Sequence, residues 1–258
     1  MMRAAANLTL LFTEQPFEAR FAAARVAGFA AVEMLFPYQM RPARMRELLD
    51  AAGLELLLFN TPAGNWAAGE RGFAAVPGAE AKFRAGFERA LRWAEVLKPR
   101  FIHVMAGLAH GVAARQTYLR NLRWACARAG GQRLTIEPIN PVDMPGYFLS
   151  GFDQAADILD AVGAPNLALQ FDAYHAHRIT GDLMGCWRAH GPRAVHVQVA
   201  GMPGRHEPDG GDIDYLAFFA QLAADGYAGH VSGEYHPRGR TEDGLSWSAT
   251  INGMRPGA

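Results

Sequence analysis

The sequence predicts an α/β protein that folds as a (β/α)8 TIM barrel. Short apolar runs alternate strictly with longer stretches of helical period, and eight such runs occur in 258 residues. Strict alternation implies parallel strands joined by helical crossovers. Eight units at this length favour a barrel over a doubly wound sheet. A dinucleotide-binding fold would require a GxGxxG motif after an early strand, and no early apolar run is followed by one. We therefore expect a single TIM-barrel domain over residues 1–258.

The apolar runs give the expected strands and the stretches between them give the expected helices. The strands are AANLTLLF (5–12), AVEMLF (31–36), LELLLFN (54–60), FIHVMAG (101–107), LTIEPIN (134–140), LALQFDAYH (167–175), AVHVQVAG (194–201) and HVSGEYH (230–236). The helices are 17–28, 43–53, 81–97, 117–130, 153–163, 182–191 and 215–226. Several helices end in Gly, which readily adopts the left-handed conformation found there. The tail from about residue 248 is atypical, and its weak helical pattern leaves an eighth outer helix open.

Composition excludes several classes of function. Lys plus Arg equals Asp plus Glu at 25 each, so no net charge attracts nucleic acid or an anionic membrane. The two cysteines have no CxxC spacing and are expected to be reduced thiols. No signal peptide and no apolar run of about 18 residues is recognisable. We expect a cytoplasmic protein with a small-molecule partner; the sequence leaves the oligomeric state open, a homo-oligomer included.

Four polar residues stand at the ends of consecutive predicted strands, where TIM barrels carry their chemistry. Strands five to eight end with Glu137 (in RLTIEPINP), Asp172, Gln198 and Glu234. Burying a carboxylate is costly unless it is paired or bound, so we expect these side chains to converge at the barrel mouth. Carboxylate and amide oxygens suit Mg²⁺ or Mn²⁺. The alternative is that each is an ordinary strand-end residue, solvated or capping a helix.

Other polar residues lie on the same face of the predicted barrel. His175 follows strand six, and Arg205 lies in a Gly/Pro-rich loop after strand seven, where a cation can bind an anionic substrate. The 61–77 connection is long for a βα loop and is a candidate lid. Its Arg71 is a second candidate for the substrate carboxylate. Asn7, in strand one, either forms hydrogen bonds inside the barrel or reaches the substrate. For the loop residues, ordinary solvation is the alternative.

Several motifs in combination resemble the hydroxypyruvate isomerase family, within the xylose isomerase-like TIM barrels. They are ANLTLLF, FPY, NTPAGNWAAGERG, IEPIN, GRHEPDGGDIDY and GEYHPRGRTEDGL, and the resemblance covers residue 3 to about 247. It implies interconversion of hydroxypyruvate and tartronate semialdehyde (2-hydroxy-3-oxopropanoate), with Glu137 and Glu234 as catalytic glutamates. The metal positions of related barrels fall on Glu137, Asp172, Gln198 and Glu234. Substrate-contacting positions in similar enzymes fall on His175 and Arg205.

The expected mechanism is proton transfer through an enediolate. One glutamate removes a proton from C3 and the other returns one at C2, while a divalent metal, Mg²⁺ or Mn²⁺, stabilises the developing oxyanion. The similar 2-oxo-tetronate isomerase shares GRHEP and the strand-eight motif. That activity, or another keto-sugar or keto-acid isomerase or epimerase of this barrel, is therefore an alternative. A non-catalytic sugar-acid binding protein is another, and an endonuclease of this barrel would require a multi-His cluster and a basic groove.

Overall fold

A computed structural model describes residues 1–254, whose strands form a nearly closed parallel barrel. The strands are β1 (Arg3–Asn7), β2 (Ala31–Glu33), β3 (Glu55–Leu56), β4 (Leu58–Asn60), β5 (Phe101–His103), β6 (Arg133–Ile136), β7 (Leu167–Asp172), β8 (Ala194–Val199) and β9 (His230–Gly233). Their order in the sheet is β3-β2-β1-β9-β8-β7-β6-β5-β4. Every pairing is parallel. The predicted TIM-barrel fold is confirmed.

The third predicted strand, 54–60, is broken in two at Leu57. β3 pairs with β2, whereas β4 pairs with β5. The amide of Leu57 donates to the carbonyl of Val32 (2.8 Å), and the carbonyl of Leu57 accepts from the amide of Phe101 (2.7 Å). The chain therefore changes neighbours at one residue, and the two short strands together fill one of the eight positions of the barrel.

The helices form the outer layer around this sheet. They are α1 (Phe17–Val26), α2 (Pro42–Ala52), α3 (Glu80–Leu97), α4 (Gly111–Ala129), α5 (Phe152–Val162), α6 (Ala173–Thr180), α7 (Leu183–His190), α8 (Tyr215–Ala224) and α9 (Ser246–Gly253). The first residues after α2 and α5, Gly53 and Gly163, have φ of 62° and 65°, as expected for left-handed C-caps. Apolar residues buried between sheet and helices, such as Phe87, Phe171 and Phe218, make the core.

One predicted boundary is wrong, and one helix that the sequence left open is present, because side-chain contacts decide the local structure in both places. Strand six does not extend to residue 175, since the Asp172 side chain accepts from two backbone amides and starts α6 there. The tail does form a helix, α9. Its Trp247 and Ile251 are buried, and the Asn252 side chain accepts a hydrogen bond from the Ala4 amide in β1 (3.0 Å). Residues 255–258 of the atypical tail lie outside the described residues.

The strands are also shorter than predicted, which matters for the site. β6 ends at Ile136 and β9 at Gly233, so Glu137 and Glu234 are the first residues after their strands. Side chains at this position face the barrel mouth, where the loops of the C-terminal face meet. None of the helices in the described part of the chain has the length and apolar character needed to cross a membrane.

Candidate active site

Three buried carboxylates and one guanidinium converge at the barrel mouth. Glu137, Asp172 and Glu234 are 5 %, 0 % and 7 % exposed. Nη2 of Arg205 lies 3.0 Å from Oε1 of Glu234 and 3.4 Å from Oδ2 of Asp172. Nε2 of His175 lies 3.6 Å from the same Asp172 oxygen. The structure thus brings together five of the residues that the sequence singled out.

A large cavity opens beside these groups. Its volume is about 920 Å³, within the range of small-molecule sites in proteins. Glu137, His175, Arg205 and Glu234 all line it. Further polar or aromatic residues on its wall include Tyr38, Asn60, Trp66, Arg89, His103 and Gln170. His103 was not identified from the sequence. It is nevertheless the last residue of β5, a position comparable to that of Glu137, which directly follows β6.

Asp172 and His175 are held in place by the start of α6. Oδ1 of Asp172 accepts from two backbone amides of that helix, at 2.8 and 3.2 Å, which leaves Oδ2 for Arg205 and His175. The side-chain nitrogen of Asn140 lies 2.7 Å from Nδ1 of His175, while the Asn140 oxygen accepts from two backbone amides. Nδ1 of His175 is therefore an acceptor, and Nε2 carries the hydrogen that faces Asp172.

The loop after β8 places Arg205 beside Glu234. The Arg205 carbonyl accepts from the amide of His236, 2.9 Å away in the loop after β9. Two residues on, the buried carboxylate of Glu207 accepts from the amide of Arg238 at 2.9 Å. These two hydrogen bonds join the loops that follow neighbouring strands. The GRHEP motif therefore contains Arg205 and also makes the hydrogen bonds that fix the position of its loop.

Gln198 approaches Glu234 through its amide nitrogen. Nε2 of Gln198 donates to Oε2 of Glu234 and also to Oε1 of Glu33 (2.8 Å). Its oxygen accepts from Nε2 of Gln170 (2.6 Å). The amide oxygen, which was expected to bind a metal, is thus used within the barrel, and Gln198 is placed to hold the Glu234 carboxylate in one orientation.

Beneath Gln198 lies a buried carboxylate that the sequence reasoning missed. Glu33, in β2, is 0 % exposed. Its Oε2 lies 2.5 Å from Nε2 of His196, and its Oε1 accepts from Nδ2 of Asn7 (3.0 Å). Asn7 therefore forms a hydrogen bond inside the barrel, and it is not among the residues that line the cavity. A glutamate inside the apolar run AVEMLF was the same signal that drew attention to Glu137.

The site concentrates negative charge. Burial, and then the charges of Glu234 and Asp172, raise the pKa of Glu137 well above its ordinary value. Burial raises the pKa of Glu234 to about 8, although the neighbouring Arg205 opposes this rise. A proton or a bound cation therefore stabilises the pair. Groups with such pKa values in a cavity are typical of catalytic sites.

The same cluster is compatible with a metal site. Glu137, Asp172 and His175 each offer one ligand atom, and these atoms lie within 4.8 Å of one another. Two carboxylates supply the oxygen ligands that hard divalent cations prefer. The excess of carboxylates over guanidinium groups at the mouth would also favour a cation there.

The predicted lid contributes Trp66 rather than Arg71 to the cavity. Trp66, half-exposed, lines the cavity, while Arg71 does not. The Arg71 guanidinium lies 3.8 Å from the centroid of the Trp66 ring and donates to the carbonyls of Trp66 (2.9 Å) and Glu70 (2.8 Å). In this conformation Arg71 supports the indole ring instead of facing the carboxylates.

Several known proteins match this chain over nearly its whole length. The sequence profile described as xylose isomerase-like TIM barrel matches residues 21–251. A 2-oxo-tetronate isomerase from Cupriavidus necator is 48 % identical over 96 % of this chain and 97 % of its own. The hydroxypyruvate isomerase of Escherichia coli is 40 % identical, with 96 % and 98 % covered. A Brucella melitensis crystal structure described as an AP endonuclease of family 2 has a TM-score of 0.93 and 42 % identity, with 96 % and 98 % covered. The chain therefore belongs to the xylose isomerase-like TIM-barrel family and, within it, to the group that contains hydroxypyruvate isomerase and 2-oxo-tetronate isomerase.

Proposed function

We propose that this protein is an isomerase that interconverts hydroxypyruvate and tartronate semialdehyde by proton transfer. One observation carries the proposal: two buried glutamates, Glu137 and Glu234, line one cavity beside the guanidinium of Arg205. The relatives of this chain that are named as isomerases support the same reaction class. Two carboxyl groups can act as the base and the acid that move a carbonyl group within a 2-oxo acid, and a cation can bind its carboxylate.

The reaction moves one proton between carbons and one between oxygens. One glutamate, as a carboxylate, takes the proton from C3 of hydroxypyruvate, and the electron pair of that C–H bond forms the C2–C3 double bond of an enediolate. The electrons of the C2 carbonyl bond move to O2 at the same time. The other glutamate, as a carboxylic acid, returns a proton to C2, and the hydroxyl proton of O3 passes to O2 as the carbonyl forms at C3. A base must lie within hydrogen-bond reach of the proton it removes, and a pKa near the working pH favours both roles. Raised pKa values for Glu137 and Glu234 fit that need.

Arg205 and Gln198 would orient the reacting groups. The guanidinium of Arg205 is the cation of the cluster and would bind the substrate carboxylate through two parallel hydrogen bonds. Gln198 would act as a positioning residue, since its amide nitrogen donates to Glu234 and its oxygen is fixed by Gln170. His175 would support Asp172, or contact a substrate oxygen from the cavity wall.

A divalent cation, Mg²⁺ or Mn²⁺, fits the donor set. Glu137, Asp172 and Glu234 would hold it with carboxylate oxygens, and His175 lies close enough to Glu137 and Asp172 to contribute. When bound, such an ion polarises the carbonyl of the substrate and stabilises negative charge on its oxygen. Gln198, expected from the sequence as the fourth ligand, is kept in this proposal as the residue that positions Glu234.

A four-carbon 2-oxo acid is the second candidate substrate. The cavity of about 920 Å³ does not restrict the ligand to three carbons, and the Cupriavidus necator relative is named for a four-carbon substrate. An endonuclease is disfavoured, because the cluster has a single imidazole and the chain has no net charge to attract DNA. A non-catalytic sugar-acid binding protein would not require two glutamates with raised pKa values at one cavity.

Proton exchange with solvent tests this proposal. The purified protein is incubated in D₂O with hydroxypyruvate or 2-oxo-tetronate, and NMR follows isomerisation and deuterium uptake. We expect Glu137→Gln and Glu234→Gln each to slow turnover by about 10²–10⁴-fold, whereas Glu47→Gln, an exposed glutamate of α2, serves as the matched control. Near-normal turnover in both folded site variants would refute the two-glutamate mechanism. Binding without isomerisation would favour the binding-protein alternative.

A further inference from the structure

One buried polar atom in the cavity wall is not used by the proposed mechanism. His103 is 1 % exposed, and its Nε2 makes no hydrogen bond to any residue between 1 and 254. The side chain nevertheless lines the cavity. Buried polar atoms are almost always hydrogen-bonded in proteins, so an unpaired one beside a ligand cavity calls for an explanation.

The other ring nitrogen of His103 is already engaged. Nδ1 lies 3.2 Å from Oδ1 of Asn60 and 3.6 Å from Oε2 of Glu137. Both neighbours are oxygens, so Nδ1 carries the hydrogen and Nε2 presents a lone pair. Nε2 of His103 is therefore a hydrogen-bond acceptor in this tautomer.

The position of this acceptor relates it to one part of the substrate. His103 is next to Glu137. With Glu137 as the glutamate that exchanges a proton with C3, the imidazole adjoins the substituent that C3 carries. Hydroxypyruvate has only hydrogen and hydroxyl groups there. A four-carbon 2-oxo acid has in addition a C4 hydroxymethyl group, whose hydroxyl needs an acceptor.

We propose that His103 is a specificity-determining residue whose Nε2 accepts a hydrogen bond from the C4 hydroxyl of a four-carbon 2-oxo acid. This role rests on the proposed isomerase activity, and it ranks the four-carbon acid, the second candidate substrate above, ahead of hydroxypyruvate. Sites built to pair with a substrate hydroxyl reject analogues that lack it, because a buried polar group is then left unpaired. Without that hydroxyl, three-carbon hydroxypyruvate would react more slowly than the four-carbon acid.

The first test compares substrates on the wild-type protein. The values of kcat/KM are measured for 2-oxo-tetronate, for its 4-deoxy analogue and for hydroxypyruvate. We expect the 4-deoxy analogue and hydroxypyruvate each to fall at least about 10-fold below 2-oxo-tetronate, the effect of one lost hydrogen bond to a buried group. Equal values for 2-oxo-tetronate and its 4-deoxy analogue, or a preference for hydroxypyruvate, would overturn the inference while leaving the isomerase proposal intact. If the protein isomerises none of the three, the proposed function itself fails, and this inference with it.

The second test assigns the effect to His103. His103→Phe keeps an aromatic ring but has no acceptor, and it should lower kcat/KM for 2-oxo-tetronate about 10-fold or more and that for hydroxypyruvate less than about 3-fold. His103→Gln, whose amide oxygen can accept, should restore most of the difference. His230→Phe, at another buried histidine that lies outside the cavity, is the matched control. Equal losses on both substrates would instead show that His103 only positions Glu137, and would refute the specificity role.

Discussion

Replacing Glu234 by Gln should stabilise the metal-free protein at pH 8 and leave its stability at pH 5 nearly unchanged. Burial raises the pKa of Glu234 from its ordinary 4.5 to about 8, so the folded protein keeps a proton that the unfolded chain releases. The contribution of the protonated Glu234 side chain to the free energy of unfolding is full below pH 4.5, and it is lost as the pH rises to 8. Gln resembles the protonated acid at every pH. At about 1.4 kcal/mol per pH unit, the variant should gain about 3 kcal/mol over wild type between pH 5 and pH 8.

The measurement compares two proteins at each pH, because other groups titrate in the same window. Burial lowers the pKa of His103, His175 and His230 to about 3, 4 and 3. Those histidines make the folded state more stable as the pH rises through 6.5, with the opposite sign to Glu234. Since both proteins carry them, their contribution cancels in the difference. Urea unfolding after EDTA treatment, followed by tryptophan fluorescence at four pH values, gives the free energy of unfolding of each protein.

The control variant is Glu47→Gln, which removes a carboxylate whose side chain is 66 % exposed. Its pH profile should overlay that of the wild type. A constant difference between Glu234→Gln and wild type from pH 5 to pH 8 would refute the reasoning, because it would mean that Glu234 does not hold its proton in the folded state. A growing loss of stability in the variant would mean that the Arg205 ion pair outweighs burial.

Three further outcomes are expected. Arg205→Met should raise the KM for the substrate about 10–100-fold in steady-state assays. Arg205→Lys should recover only part of this loss, because an ammonium cannot form two parallel hydrogen bonds with a carboxylate. An unchanged KM would exclude binding of the substrate carboxylate by Arg205. Trp247→Ala should lower the free energy of unfolding in urea by about 3–5 kcal/mol, since Trp247 is 3 % exposed and packs α9 against the barrel; a loss below about 1 kcal/mol would show that α9 is dispensable. Mn²⁺ should raise the thermal midpoint of the EDTA-treated protein in proportion to the logarithm of its concentration, and Asp172→Asn should abolish that rise; an equal rise in the variant would place the ion elsewhere.

The site could be predicted from the polar residues at the ends of consecutive strands, because the parallel strands of a barrel all end on the same face. Glu137 and Glu234 follow strands whose ends share one face, so the position of each could be inferred without knowing any side-chain torsion. Which atom each group presents could not be inferred. Gln198 turns its nitrogen to Glu234 because Gln170 donates to its oxygen, and such a chain of hydrogen bonds depends on several strands at once.

The fold was less predictable where tertiary contacts decide local structure. α9 contains Ser, Thr, Asn and Gly, which are poor helix formers, and it forms because Trp247 and Ile251 are buried against the barrel. The break at Leu57 lies inside an uninterrupted apolar run, where no turn residue marks it. His103 and Glu33, by contrast, are polar residues inside apolar runs, as Glu137 is. The same criterion, applied to every predicted strand, would have identified both of them.

The backbone at Arg205 has a consequence for anyone who would move this chemistry to another scaffold. Arg205 has a φ of 55°, and Gly204 before it has a φ of 91°. A side chain in the left-handed region costs about 1–2 kcal/mol, which glycine would not incur. A single arginine introduced into the extended loop of another barrel would lack this backbone conformation, with which Arg205 contacts Glu234 and Asp172 here. Grafting must transfer the whole segment from Gly201 to Glu207 together with its hydrogen bond to His236. A designer who replaces Arg205 by glycine to relax the loop would remove the guanidinium that lies beside Glu234 and Asp172.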